Sequence, residues 1–167
     1  MIYFIDGYNL LFRLFHSEKK LEIQRNLAIE FLQEKVSFLN LNIYLIFDGY
    51  QKKQELPTRD YYKHLKVIYT PKDQTADDYI LEQIFLSKTP SQITVVTSDN
   101  TLKKKAKQMH AHTFSIESFI AWLYEKEKKR KKNKNEEKNN FIDTKSDIER
   151  LHKIFEEKLK KNIDDWE

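Results

Sequence analysis

The sequence predicts an α/β fold in which a parallel sheet is covered by helices on both faces. Three observations carry this expectation. Short apolar runs at residues 1–5, 42–47, 65–70 and 92–97 have the length of strands and little polar alternation, as strands buried on both faces require. Segments of helical period lie between them, the pattern of a sheet built by crossover connections. An aspartate stands at or just past the end of the first, second and fourth runs. Ligands of such folds bind outside the carboxyl ends of the strands, so these acids mark a candidate site.

The elements follow in order. MIYFI ends at Asp6 and reads as the first strand. Residues 21–39 place Ile23, Leu27, Phe31, Leu32, Val36 and Leu39 at helical spacing. NIYLIF, residues 42–47, is the second strand and ends at Asp48. Residues 49–64 are polar, contain Pro57, and are expected to be a loop with a short helix at 58–64. LKVIYT, residues 65–70, is the third strand, stopped by Pro71. Residues 75–87 form a helix with Ile80, Leu81, Ile84 and Phe85 inward. QITVVT, residues 92–97, is the fourth strand, followed by Ser98 and Asp99. A helix at 100–109 and a short strand at 111–114 come next. Ser115 then caps a helix whose inner face holds Ile116, Phe119, Ile120 and Leu123. A last amphipathic helix is expected at 144–160.

Composition removes several classes of function. The chain has 167 residues, enough for one domain or one domain with a tail. Its lack of Cys excludes a disulfide scaffold, a zinc-thiolate site and a thiol nucleophile. The only two glycines leave no room for a GxGxxG loop or a P-loop. They stand in two copies of one tripeptide, Asp6-Gly7-Tyr8 and Asp48-Gly49-Tyr50. No apolar run approaches the roughly 18 residues of a membrane span. The opening MIYFIDGYNLL carries neither a basic region nor a small-residue cleavage site. A soluble, cytoplasmic protein is therefore expected.

Asp6, Asp48 and Asp99 follow strands, and Asp77-Asp78 opens the helix after the third strand. In a parallel sheet these positions share one edge. Carboxylates gathered there repel one another unless a cation or protons intervene. Oxygen ligands without nearby Cys favour Mg²⁺ or Mn²⁺ over zinc. At about 100° per residue, Asp77 falls on the centre of the apolar face of its helix and Asp78 at its margin. Each acid also has a structural reading. Thr75-x-x-Asp78 matches a capping box. Asp6-Gly7 and Asp48-Gly49 are frequent turn pairs. Asp99 or Ser98 can cap the following helix, and Asn9 can be a plain helix-start residue.

The spaced set FIDGYNLL, IFDGY, TPKDQTADDYI and VVTSDN resembles the YacP-like NYN-domain ribonucleases, a branch of the PIN-like nuclease superfamily. The resemblance covers residues 1–124 and implies a three-layer PIN-like fold with a central parallel sheet. It also implies a metal-dependent endoribonuclease that uses Mg²⁺ or Mn²⁺ and acts on RNA, with mRNA cleavage on the ribosome as a setting. Asp6, Asp77 and Asp99 would be the metal ligands, with Asp48 and Asp78 supporting. Asn9 matches the Asn of the family's opening motif; Thr97 and Ser98 match the small hydroxyl residues beside its last acid. Some relatives have Glu in place of Asp78, which leaves the role of Asp78 open. Asn9 and Ser98 would orient water or phosphate oxygens.

RNA needs cationic and aromatic partners as well. Candidates around the acidic edge are Arg13, Lys52, Lys53, Arg59 and Lys63, with Lys103, Lys104 and Lys105 just after Asp99. Tyr8, Tyr50, Tyr61 and Tyr62 are candidates for base stacking, or equally for core or plain surface.

The net charge of +4 equals the surplus of residues 125–139 alone, which hold 8 basic and 4 acidic residues. This segment has no apolar residue, so it is expected to bury no face, as a solvated helix extension or a linker. Its Lys128–Lys132 run is open to two readings, nucleic-acid contact or solubilising spacer. The expected organisation is a nuclease domain at 1–124, a basic polar segment at 125–139 and a helical tail at 140–167. Three rivals compete with the endoribonuclease reading. A degenerate nuclease fold would bind RNA or a ribosome without cutting. A phosphate-signalling receiver would want an acidic pair after the first strand, where only Asp6 stands. A structure-specific DNA nuclease would need more chain.

Overall fold

The computed structural model describes residues 1–15, 20–49 and 58–134, together with 149 and 153. Six strands form one sheet: β1 (Ile2–Asp6), β2 (Asn42–Phe47), β3 (Thr58–Tyr62), β4 (Leu65–Tyr69), β5 (Ile93–Val96) and β6 (His112–Phe114). Five helices accompany them: α1 (Gly7–Leu14), α2 (Leu21–Leu39), α3 (Ala76–Leu86), α4 (Asn100–Gln108) and α5 (Ile116–Lys134). The sheet order is β3-β4-β2-β1-β5-β6. All neighbours are parallel except β3 and β4.

Side chains alternate between the two faces of the sheet. Tyr3, Ile5, Ile43, Leu45, Phe47, Leu65 and Val67 pack under α1, α2 and α5. Phe4, Ile46, Ile68, Ile93 and Val95 pack under α3 and α4. Both faces are apolar, which is why the strands show no alternation in sequence. The result is the three-layer α/β arrangement expected.

The chain winds outward from β1 through β2 to β4, then crosses to β5 on the other side of β1. The topological switch point therefore lies between β1 and β5, where ligand crevices open in such sheets. Ile5 pairs with Val96, so Asp6 and Thr97 leave the sheet side by side at that point.

Three expectations are corrected. Residues 58–62 form an antiparallel edge strand, not a helix. TRDYY gives no apolar signal because an edge strand keeps much of itself in water, and its pairing comes from β4. Residues 7–14, for which the sequence predicts no element, form α1, whose Leu10, Leu11 and Leu14 are buried. In α3 the inward face is centred on Ala76, Tyr79, Ile80 and Ile84, while Phe85 is 78% exposed. Asp77 thus sits at the margin of that face, half-buried, instead of at its centre. The helix expected at 144–160 and most of the tail lie outside the described residues.

Ser115 caps α5 as expected, its Oγ accepting the Ser118 N–H at 3.1 Å. The helix then runs through residues 124 and 125 without a break. The polar segment does bury a group, contrary to expectation. Glu127 and Lys35 of α2 are each 8% exposed and pair at 2.5 Å. Lys131 joins Glu127 at 2.6 Å, and Lys35 lies 4.9 Å from the Tyr124 ring centroid. Burial opposes the Glu127 charge, but the bonds from Lys131 and Lys35 outweigh it and hold the carboxyl below its ordinary range. Removing one member of such a pair strands the other in a dry site. Glu127→Ala will therefore destabilise the protein by about 2–3 kcal/mol, whereas a double change of Lys35 and Glu127 to Met will lie closer to wild type. Urea denaturation of the three proteins checks this.

Candidate active site

Asp6 is the last residue of β1 and the N-cap of α1. Its Oδ1 accepts the Asn9 N–H at 3.1 Å, and Asn9 Nδ2 donates to its Oδ2. The Asn9 side chain thus fixes the rotamer of Asp6, and DGYN reads locally as a helix start aimed at the sheet edge. Burial raises the Asp6 pKa; the Asn9 bonds oppose this and the Asp48 charge adds to it.

Asp99 is the N-cap of α4, its Oδ1 accepting the Leu102 N–H at 2.8 Å. Thr97 joins the two acids. This fully buried residue donates its hydroxyl to Asp6 Oδ2 at 3.5 Å, and Thr97 Oγ1 in turn accepts the Asp99 N–H at 3.0 Å. Ser98, singled out beside it, is exposed, and its carbonyl accepts Lys103 Nζ at 3.5 Å. Of the two hydroxyl residues, Thr97 therefore holds the acids in place. A β-branched hydroxyl directly after a buried strand is the signal for it.

Asp48 follows β2, and its Oδ1 accepts the Ala76 N–H. This bond ties the start of α3 to the sheet edge. Thr75 caps α3: its Oγ1 accepts the Asp78 N–H at 3.1 Å and donates to Asp78 Oδ2 at 2.7 Å. Asp78 is exposed, and its carboxylate bonds the hydroxyl of the cap residue itself. Asp77, one residue earlier, turns to the acids. Burial first, then the charges of Asp6, Asp99, Asp48 and Asp78, push its pKa to about 6. The edge therefore brings together all five predicted acids as one electrostatic group.

Among the described residues none of these five carboxylates is in an ion pair. Nor do any three acidic or histidine side chains close into a cage around a single point. The acids line an open edge. Their chemistry fits a hard divalent cation, with carboxylate oxygens only, those of Asp6, Asp48, Asp78 and Asp99 oriented by hydrogen bonds and Asp77 carrying the repulsion of the group.

The predicted RNA contacts fare unevenly. Arg13 pairs with Glu117 at 2.7 Å on the first turn of α5. Burial raises the Glu117 pKa, yet its backbone and Ser115 bonds and the Arg13 and Lys103 charges bring it below the ordinary value. Arg13 and Lys103 are thus balanced by one acid, and Lys104 is exposed. Arg59 is exposed on β3 beside Tyr61 and Tyr79. Lys52, Lys53 and Tyr50 lie outside the described residues. Tyr61 pairs with Lys66 and Tyr62 with Leu65, so both lie at the end of β4 away from the acids, as does Lys63 in the turn. The antiparallel run of β3 carries them there. Tyr8 packs edge-on against Phe47, with ring centroids 5.5 Å apart.

The model of the YacP-like NYN domain matches residues 3–164. The chain belongs to this family. The NYN domain is a PIN-like nuclease domain, so membership supports RNase-type function with RNA as substrate. PIN-like nucleases generally use divalent metals. The match continues past the motif block at residues 1–124 into the tail. A crystal structure of a point mutant of Rae1 (YacP) from Bacillus subtilis superposes with a TM-score of 0.61 at 22% identity, covering 90% of this chain and 92% of that one. A second crystal structure of Rae1 (YacP) from Bacillus subtilis gives 0.58 at 21% identity, covering 99% and 94%. At that identity these structures speak for the fold. No curated protein matches the chain. Among the described residues no helix is long and apolar enough to cross a membrane.

Proposed function

We propose that the protein is a metal-dependent endoribonuclease that cuts single-stranded RNA at the acidic edge. The observation that carries this reading is the gathering of Asp6, Asp48, Asp77 and Asp99 at the carboxyl edge of the sheet, three of them held there by hydrogen bonds to the starts of α1, α3 and α4, with the Asp77 pKa raised by burial and by the charges of its neighbours. Repulsion of that kind is tolerated where a cation is to be held. Asp6, Asp77 and Asp99 are the proposed ligands, for Mg²⁺ or Mn²⁺. The cation supplies Lewis acidity toward water and the scissile phosphate. The chain's own residues position and orient. Asn9 holds the Asp6 carboxylate, and Thr97 keeps Asp6 and Asp99 in one frame. Asp48 fixes the start of α3 so that Asp77 faces the edge, and Thr75, bonded to Asp78, caps that helix. Ser98, exposed beside Asp99, reaches toward substrate oxygens. In-line hydrolysis leaves a 5′-phosphate and a 3′-hydroxyl.

Incubation with single-stranded RNA tests this. Cleavage with Mn²⁺ that stops in EDTA is the expected result; cleavage that persists in EDTA sinks the metal mechanism. A protein that binds RNA but does not cut it, whichever divalent ion is supplied, favours the non-catalytic rival. Translation-coupled mRNA cleavage in the cytoplasm is the setting the family resemblance suggests. Cosedimentation with ribosomes, with and without residues 125–167, checks that part.

A further inference from the structure

The basic run of α5 is unexplained by the acidic edge. Helix α5 starts beside the edge, where Glu117 meets Arg13, and runs away from it. At 1.5 Å per residue, Lys129 lies about 18 Å further along the helix than Glu117. Residues 126–132 of this distal half hold six cations and one acid. That acid, Glu127, is buried and neutralised by Lys35 and Lys131. Arg130 donates to the Phe38 carbonyl and lies over its ring at 5.4 Å. The helix is thereby held against α2 in a fixed register, with Glu127 inward and Lys126, Lys129 and Lys132 exposed outward, Lys129 lying 4.0 Å from the likewise exposed Glu125. A mere solubilising spacer has no need of a buried ion pair to hold it. A surface that must present charge at a set place does.

We propose that this outer face of α5 is a second RNA-binding site, which grips the phosphate backbone of a long single strand at a distance from the acids. The proposal rests on the RNA-cleaving reading for the identity of the polyanion, not for the metal chemistry. Single-stranded nucleic acid that neutralises Z cations shows a salt slope of about −0.7Z. Three lysines therefore contribute about 2 to the slope and roughly 10- to 100-fold in affinity near 0.1 M salt.

The test uses the full chain in EDTA, so that binding is read without cleavage. Fluorescence anisotropy follows a long single-stranded RNA and a short oligonucleotide that spans the acidic edge alone. The combined change Lys126→Ala, Lys129→Ala and Lys132→Ala is expected to weaken binding of the long strand by that factor and flatten its salt slope by about 2. The short strand should bind as to wild type, and Lys→Arg at all three positions should restore the long one. Unchanged affinity and slope on long RNA would overturn the proposal. So would an equal loss on both strands, or a loss seen only on vesicles of anionic lipid. A wild-type protein that binds the long strand but cuts it neither with nor without Mn²⁺ would sink the catalytic reading and leave these binding outcomes readable.

Discussion

Asp77→Asn will remove most of the activity and stabilise the protein in the same stroke. The catalytic loss should be about 10³-fold in kcat/KM, the size expected when a charge that supports the transition state disappears. The stability gain follows from the sign of the pKa shift. The ordinary value of 3.8 rises to about 6 in the folded protein. The folded state thus holds the Asp77 proton more tightly than the unfolded chain does. Stability falls as pH rises through the window between those values, and the full penalty stands above it. Asn carries no charge and escapes the penalty. Asp77 is only half-buried, so the gain at pH 7 is set at about 1 kcal/mol after allowance for solvent screening. At about pH 4 it vanishes, because the carboxyl is then protonated. Urea denaturation of the metal-free protein at the two pH values reads the effect, and cleavage with Mn²⁺ reads the other half. If Asp77→Asn destabilises at pH 7, the repulsion that motivates the metal site is absent. A site whose ligands repel when empty also implies that Mg²⁺ or Mn²⁺ raises the Tm of wild type more than of the variant.

The sheet was legible because both its faces are buried. Apolar runs such as NIYLIF need no partner to be recognised, and the acids that end them follow from the direction of the strands. Elements that draw their order from neighbours were not legible. The edge strand β3 is polar, and its register comes from β4. Asp6 hid α1, because a residue that ends a strand and caps the next helix leaves no loop to read. The tilt of α3 was misjudged for a related reason. Thr75 and Asp78 fix its first turn and Asp48 pulls on Ala76, so the inward face is set by the cap and not by the apolar average. Within the site the acids were visible, while the groups that hold them were visible only in part. Asn9 lies in the same motif as Asp6. Thr97 reaches across from another strand to Asp6, and no local spacing announces that bond. The polar segment taught the same lesson. Residues 125–139 lack apolar groups, yet Glu127 is buried, because Lys35 lies 92 positions earlier in the sequence.

Gly49→Ala will be the most damaging single methyl in the molecule. A Cβ at Gly49 would lie 1.6 Å from the Thr70 carbonyl oxygen and 2.8 Å from its carbon. The conformation of Gly49 is not left-handed, so close approach and not backbone freedom requires the glycine. The obstacle is backbone, and it belongs to a tight junction. Gly49 N–H donates to Thr70 Oγ1 at 3.1 Å, Thr70 N–H to the Phe47 carbonyl at 2.9 Å, and Thr70 Oγ1 to the Gln74 carbonyl at 2.6 Å. Making room pushes β4 from β2 and carries residues 70–75 with it, and so the start of α3 and Asp77. The expected loss is about 4 kcal/mol, at the severe end for a single substitution. In a chain of this size that lowers Tm by about 10 °C or more. Cleavage by whatever protein stays folded should fall too, because Asp77 is no longer set against Asp6 and Asp99. Gly7→Ala makes the contrast. Its Cβ meets the Phe47 ring at 2.4 Å, as well as the Ile46 carbonyl oxygen at 2.7 Å. A smaller side chain at position 47 can relieve the first of these. Phe47→Leu should therefore recover part of the Gly7→Ala loss, whereas Thr70→Ser should recover none of the Gly49→Ala loss. Thermal unfolding of the four variants decides it, and rescue of Gly49→Ala by Thr70→Ser would show that the junction is looser than this packing allows.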